Sequence, residues 1–159
     1  MALSQLLEPD RRFMKSALQQ AEQAKDRGEV PVGAVVVRDQ QIVGRGHNQV
    51  ESLRDPTAHA EMIAITAACE TLQSKVLEAC TLYVTLEPCP MCAGAIVLAR
   101  LDRLCFGAMD LKAGGASTLY NIPQDKRLNH QVEIISGVEA DQAEHLLRDF
   151  FQQRRRASS

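Results

Sequence analysis

Two short segments of the chain carry residue types that hold metal ions. Cys89 and Cys92 lie three positions apart at the start of a predicted helix, so both sulfurs face one side and can bind one ion. The helix N-terminus favours thiolate over thiol at such positions. The imidazole of His59, at the start of a second predicted helix, completes a ligand set that suits Zn²⁺. Three protein ligands leave the fourth tetrahedral position open for water, so we expect one catalytic Zn²⁺ per chain.

A carboxylate close to this set supplies a proton-transfer group. Glu61 lies two residues beyond His59, which on a regular helix corresponds to a rotation of about 200° and places the two side chains on different faces. We therefore expect His59 to stand at the irregular start of the helix, from which both side chains reach the same water. The metal lowers the pKa of that water towards about 7, and a neighbouring carboxylate can accept its proton. This arrangement predicts Glu61 as the catalytic acid–base.

Two other interpretations of the cysteine pair stay open at this point. A lone Cys-x-x-Cys can be a redox pair, as in thioredoxin-like proteins, or part of a purely structural zinc site. The other cysteines lie singly in apolar surroundings and are expected to be small buried hydrophobes; they are Cys69, Cys80 and Cys105. The remaining histidines, His47, His130 and His145, are expected to be surface or capping residues. The odd count of five cysteines and the lack of a visible secretory signal favour a reducing compartment, the cytoplasm.

Apolar periodicity predicts the elements that must position these residues, in the order α-β-β-α-β-α-β-loop-β-α. We expect a first helix from an N-cap at Asp10 to a stop at Gly28, and a helix start at Asp55-Pro56-Thr57. The other expected elements are a hairpin of strands at 32–37 and from 42 to about 46–48, strands at 81–86, 103–107 and 132–135, and a helix at 89–100. A final helix has its apolar stripe at 143–151 and runs into the arginines. This pattern predicts an α/β fold with a mixed five-stranded sheet and helices on both faces, an α-β-α arrangement of three layers.

Length and charge limit the remaining possibilities. A chain of 159 residues is expected to form one domain, which we place at 1–153, followed by a short basic tail at 154–159. The net charge is −2, and removing the three charges of Arg154, Arg155 and Arg156 leaves −5. A protein that binds nucleic acid over its whole surface would be basic throughout, so any such contact must be local. No apolar run approaches the roughly 18 residues of a membrane span, so we expect no membrane partner.

The metal-site residues also carry a resemblance to a known family. His59-Ala60-Glu61 and Pro88-Cys89-Pro90-Met91-Cys92 match the H-x-E…P-C-x-x-C signature of zinc-dependent nucleobase deaminases. More narrowly, the chain resembles the bacterial tRNA-specific adenosine deaminases, which have a cytidine-deaminase-like fold. The similarity covers nearly the whole chain, and its further segments are Glu29 to Ala34, Gly46 to Asn48, Asp55 to Ala58, Gly94 to Ile96, Gly107 to Lys112, Asn129-His130 and Asp149 to Phe151.

The resemblance implies hydrolytic deamination of adenosine to inosine at the tRNA wobble position, in which zinc-activated hydroxide attacks C6 and Glu61 shuttles the proton to the leaving ammonia. It also implies a homodimer in the cytoplasm whose partner is the tRNA anticodon stem-loop. The roles that it implies are Asn48 as a hydrogen-bond partner of the base, Val30, Pro31 and Val32 as pocket walls, and the Ala60 N–H as a purine contact. Asp110 is expected near the ribose of the flanking nucleotide, Lys112 near the phosphates, and the arginines at 154–156 at the anticodon stem.

Two rival functions remain. A deaminase of a free base or nucleoside, such as guanine, cytosine or cytidine, would use the same zinc chemistry on the same fold. The Gly107-Ala108-x-Asp110-x-Lys112 segment and the basic last helix favour RNA, because a small-substrate enzyme has little use for them. A non-catalytic zinc or RNA-binding module is the second rival. Glu61 argues against it, because a binding module needs no carboxylate beside an open metal position.

Overall fold

The computed structural model describes residues 7–158, which form five strands and five α-helices. The strands are β1 (Gly33–Arg38), β2 (Gln41–His47), β3 (Cys80–Leu86), β4 (Arg103–Ala108) and β5 (Glu133–Ile135). The helices are α1 (Glu8–Asp26), α2 (Val50–Leu53), α3 (Ala60–Leu72), α4 (Pro90–Leu98) and α5 (Ala140–Ala157), with a 3₁₀ turn at Ile122–Gln124. Apart from α2 and this turn, the order of elements is the one expected from the sequence.

One mixed sheet runs through the molecule in the strand order β2-β1-β3-β4-β5. β1 pairs antiparallel with both β2 and β3, whereas β3, β4 and β5 are parallel to one another. The hairpin between β1 and β2 turns at Asp39 and Gln40, which both have positive φ (50° and 64°). Two such residues fit the tight turn whose twist matches that of the flanking strands.

Alternation along the strands divides the core between the two faces of the sheet. On one face, residues such as Val36, Leu82 and Phe106 pack under α3 and α4. On the other face, residues such as Val35, Tyr83 and Cys105 pack under α1. Ala143 of α5 joins α1 on that second side. The expected mixed five-stranded sheet with helices on both faces is therefore confirmed.

Two expected helix starts are wrong. α1 begins at Glu8, and Asp10 does not cap it but is buried within its first turn. The Asp10 carboxylate accepts hydrogen bonds from the Tyr83 hydroxyl (2.7 Å) and from the Arg103 guanidinium (3.1 and 3.2 Å), so it serves the core and not the helix end. Asp55 starts no helix either. Its Oδ1 accepts from the N–H and hydroxyl of Thr57, which makes a local turn, and α3 begins only after His59.

Glycines in β2 allow α3 to lie directly on the strand backbone. A Cβ atom at Gly44 would lie 2.4 Å from the carbonyl oxygen of Ala64, and one at Gly46 would lie 2.4 Å from that of Ala60. Real Cβ atoms do not approach this closely, so only glycine permits this packing. The close approach fixes the N-terminus of α3, which carries His59, against the sheet.

The last helix extends further than the core requires. As expected, the last helix runs into Arg154, Arg155 and Arg156, which are exposed on its last turns, so most of the expected tail is helical. Within residues 7–158, no helix combines the length and apolar character needed to cross a membrane.

Candidate active site

The side chains of His59, Cys89 and Cys92 converge, as the sequence predicted. The Nδ1 atom of His59 lies 3.6 Å from Sγ of Cys89 and 3.5 Å from Sγ of Cys92. All three atoms lie within 4.8 Å of one another. In a tetrahedral zinc site with Zn–S of about 2.3 Å and Zn–N of about 2.05 Å, nitrogen and sulfur ligands lie about 3.6 Å apart. The donor set and its spacing therefore fit Zn²⁺, and Nδ1 is the His59 nitrogen placed to bind it.

Local backbone geometry explains how the ligands reach one point. His59 and Cys89 are the N-cap residues of α3 and α4, and both have extended backbone conformations outside the helical turns. Pro90 occupies the first turn of α4, where its fixed φ suits a helix start. Cys89 follows β3 by three residues, so the site lies outside the carboxyl end of a parallel strand, where ligands collect in such sheets. The expected irregular position of His59 is thus what the structure has.

The ionisation of the ligands also suits a cation. Hydrogen bonds from the Cys92 thiol and from the His59 ring lower the pKa of Cys89 to about 4, against the opposing effect of burial. The hydrogen bond with Cys89 and burial raise the pKa of Cys92, so the pair shares one proton. Hydrogen bonds with the Cys89 sulfur and with the backbone of Pro56 raise the pKa of the His59 ring, against the opposing effect of burial. The lowered pKa of Cys89 favours its thiolate, which is the form that binds a cation.

Glu61 lies against this set and is only 4% exposed. Burial raises the pKa of its carboxyl to about 7, although its own backbone N–H and the charge of His59 oppose the shift. A hydrogen bond from the Cys92 side chain places the carboxylate directly beside the ligands. A group that titrates near neutral pH can both accept and release a proton, which is what acid–base catalysis requires.

A cavity of about 240 Å³ opens over these residues. Its lining includes seven of the residues expected at the site, namely Val30, Val32, Asn48, His59, Glu61, Cys89 and Asp110. Pro31 and Ala60 are buried and Lys112 is exposed, and none of the three lines the cavity. The cavity suits one planar base with the rest of a larger substrate outside.

The amide of Asn48 has a defined orientation. Its Oδ1 accepts the N–H of Ala60 at 2.9 Å, so the Asn48 NH₂ group remains to donate. This hydrogen bond corrects one expectation. The Ala60 N–H, which the resemblance assigned to the purine, is bonded to Asn48 in this structure and orients that side chain instead.

Asp110 has a structural role as well as a place at the cavity. Its Oδ1 accepts the backbone N–H groups of Lys112 (3.0 Å) and Ala113 (3.1 Å), which closes the turn after β4. Its own backbone N–H donates to Glu87 at 3.1 Å.

Sequence reasoning missed two buried carboxylates in the cavity lining. Glu29 and Glu87 are each 2% exposed. Glu29 accepts the N–H groups of Glu51 and Ser52 and thereby holds α2. Burial alone would raise the pKa of both carboxyls. Hydrogen bonds outweigh it and lower both values, chiefly from Glu51 and Ser52 to Glu29 and from Thr118 to Glu87. No spacing signals these roles, although Glu87 immediately precedes the Pro-Cys segment.

The remaining cysteines and histidines have other environments. Cys80 and Cys105 are buried, Cys69 is half-buried, and burial raises the pKa of all three thiols. His145 is exposed, as expected. His47 is buried, contrary to expectation, and its Nε2 lies 3.1 Å from the Arg27 guanidinium.

Comparison with known proteins identifies the class. Residues 8–155 match the family model of the MafB19-like deaminases, so the fold and site are those of a deaminase. The tRNA-specific adenosine deaminase of Bacillus subtilis is 48% identical over 147 residues, which cover 92% of this chain and 91% of the relative. That of Aquifex aeolicus is 48% identical over 143 residues, covering 90% and 94%. Within the deaminases, the chain belongs to the family of tRNA-specific adenosine deaminases.

Solved structures of deaminases also match this chain. A chain from a study of A-to-I editing by tRNA:A34 deaminases at the wobble position superposes with a TM-score of 0.82 and 41% identity, covering 86% of this chain and 99% of that one. The guanine deaminase of Bacillus subtilis has a TM-score of 0.61 and 41% identity, covering 67% of this chain and 69% of that one. The first similarity confirms the cytidine-deaminase-like fold that we expected.

Proposed function

We propose that this protein deaminates adenosine to inosine at the wobble position of tRNA, with one Zn²⁺ per chain. The observation that carries the proposal is the convergence of three metal ligands and a buried carboxylate, Glu61, at one base-sized cavity. The relatives that match at least nine-tenths of this chain are tRNA-specific adenosine deaminases, which supports adenosine in tRNA as the substrate. The net reaction consumes one water and releases one ammonia.

The proposed chemistry divides between the metal and the side chains. When bound by His59, Cys89 and Cys92, Zn²⁺ supplies a nucleophile from water at neutral pH. Glu61 accepts one proton of that water and delivers it to the ring nitrogen, and it then carries the proton of the hydroxyl newly bonded to C6 to the departing amino group. Asn48 donates its NH₂ to an acceptor on the base, because its oxygen is already bonded to Ala60. Val30 and Val32 pack against the base and exclude water.

Polynucleotide recognition falls to Asp110 in the cavity lining and to residues outside the cavity. We assign Asp110 to the ribose next to the target and Lys112 to the phosphates, and we assign the arginines at 154–156 to the anticodon stem. The catalytic domain then spans 1–153, and residues 154–159 extend its RNA-binding surface. We further propose a homodimer, which is supported by apolar side chains left in solvent on α2 and α4, Leu53 (56% exposed) and Leu98 (82%).

Guanine deamination is the second candidate, since a guanine deaminase shares the fold at 41% identity. The two functions are separated by one experiment. The purified zinc-loaded protein is incubated with total tRNA and, separately, with free adenosine, guanine and cytidine, and inosine and ammonia are measured, with Glu61→Ala as the inactive control. We expect inosine in tRNA and little ammonia from the free compounds. Ammonia from guanine without inosine in tRNA would establish the second candidate.

A further inference from the structure

The loop after β4 is tied to the site by one buried side chain. We call residues 110–118 the rim loop, because Asp110 and Ala113 within it line the cavity. Glu87 lies beneath this loop, two residues before the metal ligand Cys89. Both of its carboxylate oxygens accept hydrogen bonds from the rim loop.

Five donors of the rim loop converge on Glu87. Its Oε2 accepts the backbone N–H groups of Ala116 (3.2 Å), Ser117 (2.8 Å) and Thr118 (2.8 Å). Its Oε1 accepts the backbone N–H of Asp110 at 3.1 Å and the hydroxyl of Thr118. Three successive N–H groups that point at one oxygen form an anion-binding concavity, and here the anion is a side chain of the same protein. The two ends of the loop are therefore held by a single carboxylate.

Backbone packing brings the same loop onto the metal-binding turn. A Cβ atom at Gly114 would lie 2.4 Å from Oε2 of Glu87, and one at Gly115 would lie 2.7 Å from the backbone nitrogen of Pro90. The Gly115 N–H also donates to the carbonyl of Pro88 at 2.7 Å. The rim loop thus sits on the Glu87–Pro90 segment with no room between them.

From this geometry we propose that Glu87 is a positioning residue for the polynucleotide substrate. Glu87 holds the rim loop, and with it Asp110, in a fixed position beside the cavity. The metal ligands and Glu61 carry out the reaction without Glu87. The kinetic part of this proposal rests on the proposed tRNA deamination. The structural part, the hold on the rim loop, does not.

The test compares Glu87→Gln with Glu29→Gln. Glutamine keeps the size of the side chain but turns one acceptor into an NH₂ donor, which faces N–H groups in either orientation. Glu29 is an equally buried carboxylate in the same cavity, but it holds α2 and not the rim loop. Hydrogen exchange by mass spectrometry should show exchange at least about tenfold faster in 110–118 for Glu87→Gln, and in 50–53 for Glu29→Gln.

Kinetics and binding then separate positioning from general destabilisation. For Glu87→Gln we expect the KM for tRNA and the Kd for an anticodon stem-loop to rise about tenfold, with kcat per bound zinc within about threefold of wild type. A purely structural role would lower the melting temperature and the fraction of active enzyme but leave KM unchanged. A loss confined to kcat, or unchanged exchange in 110–118, overturns the proposal.

A second variant serves if Glu87→Gln does not fold. Gly114→Ala leaves Glu87 in place but drives a methyl group against its carboxylate, so it should separate the loop from its anchor. Faster exchange in 110–118 with raised Kd for the stem-loop supports the proposal, and wild-type exchange and Kd overturn it. If the wild-type protein forms no inosine in tRNA, the proposed function fails, while the exchange data still decide whether Glu87 holds the loop.

Discussion

Side chains at the site divide into those placed to hold a cation and those placed to act on a substrate. His59, Cys89 and Cys92 have few other partners in the described chain and are spaced as tetrahedral ligands. Glu61 and Asn48 flank them with one acidic group and one amide whose orientation is set by Ala60. Because these roles are separate, single substitutions should remove them separately.

Replacing a metal ligand should remove the ion. His59→Ala, Cys89→Ala and Cys92→Ala should each lose most of the bound zinc, since two ligands cannot complete the site. The melting temperature should fall as well, because binding energy adds to the free energy of folding. Zinc content by atomic spectroscopy checks this. Full zinc retention by Cys89→Ala would show that the ligand assignment is wrong.

Replacing Glu61 should remove the activity without removing the ion. Glu61→Ala should retain zinc and fold but lose deamination by a factor of at least about 10⁴, since the carboxylate serves more than one proton transfer. Single-turnover rates on an anticodon stem-loop, normalised to zinc content, provide the measurement. Near-normal turnover would remove Glu61 from the mechanism.

Asp110 should contribute to the choice of RNA over DNA. A carboxylate beside the ribose can accept a hydrogen bond from a 2′-hydroxyl, which DNA lacks. Asp110→Asn keeps an Oδ1 acceptor for the turn at Lys112 and Ala113 but removes the charge. The preference for RNA in kcat/KM on matched hairpins should narrow by about 1–2 kcal/mol. Asp110→Ala, which also loses the turn, is the control for loop damage. Equal losses on both substrates with Asp110→Asn would leave Asp110 a purely structural residue.

At the scale of elements, the packing of α3 on β2 decides where His59 stands. Gly46→Ala places a methyl group 2.4 Å from the Ala60 carbonyl, so α3 must shift. Overpacking of this kind should cost about 1–3 kcal/mol in the free energy of unfolding and weaken zinc binding, since His59 caps this helix. Urea denaturation and zinc affinity measure the two effects.

The matched control is the same substitution in the other helix of the site. A Cβ atom at Gly94 in α4 would have no neighbour within 4 Å. Gly94→Ala should therefore be neutral or stabilise the helix by up to about 1 kcal/mol. If both alanine variants bind zinc like the wild type, the contact between β2 and α3 does not set the position of His59.

Sequence patterns predicted the elements and the ligands but not the contacts between distant segments. Period-two and helical spacing predict strands and helices directly, and the two motifs predict the metal site. The start of α3 was misplaced because Asp55 caps a turn with Thr57, which has the same local sequence as a helix start. Glu29 and Glu87 could not be predicted, because a buried carboxylate that accepts backbone N–H groups looks like any glutamate until the loops around it are placed.

For the whole molecule, buried acceptors make stability depend on pH. The pKa of Glu29 is lowered in the folded state from its ordinary value of 4.5. A lowered folded pKa contributes stability that is fully present above the unfolded pKa and is lost as the pH falls through the folded pKa. The difference in free energy of unfolding between wild type and Glu29→Gln should therefore be largest near about pH 7 and shrink towards about pH 3. A difference that stays constant over this range would mean that the charge of Glu29 does not contribute.

The order of strands has a consequence for how the chain reaches this structure. β1 pairs with β3, so Val36 and Leu82, 46 positions apart, must meet before the sheet is continuous. His59 lies inside that interval and the cysteine ligands lie beyond it. Closing so long a loop is slow, because the entropy of closure is lost before the contacts that offset it can form. A cation therefore finds its three ligands together only in a sheet that is already assembled, so it should slow unfolding and leave the rate of folding nearly unchanged.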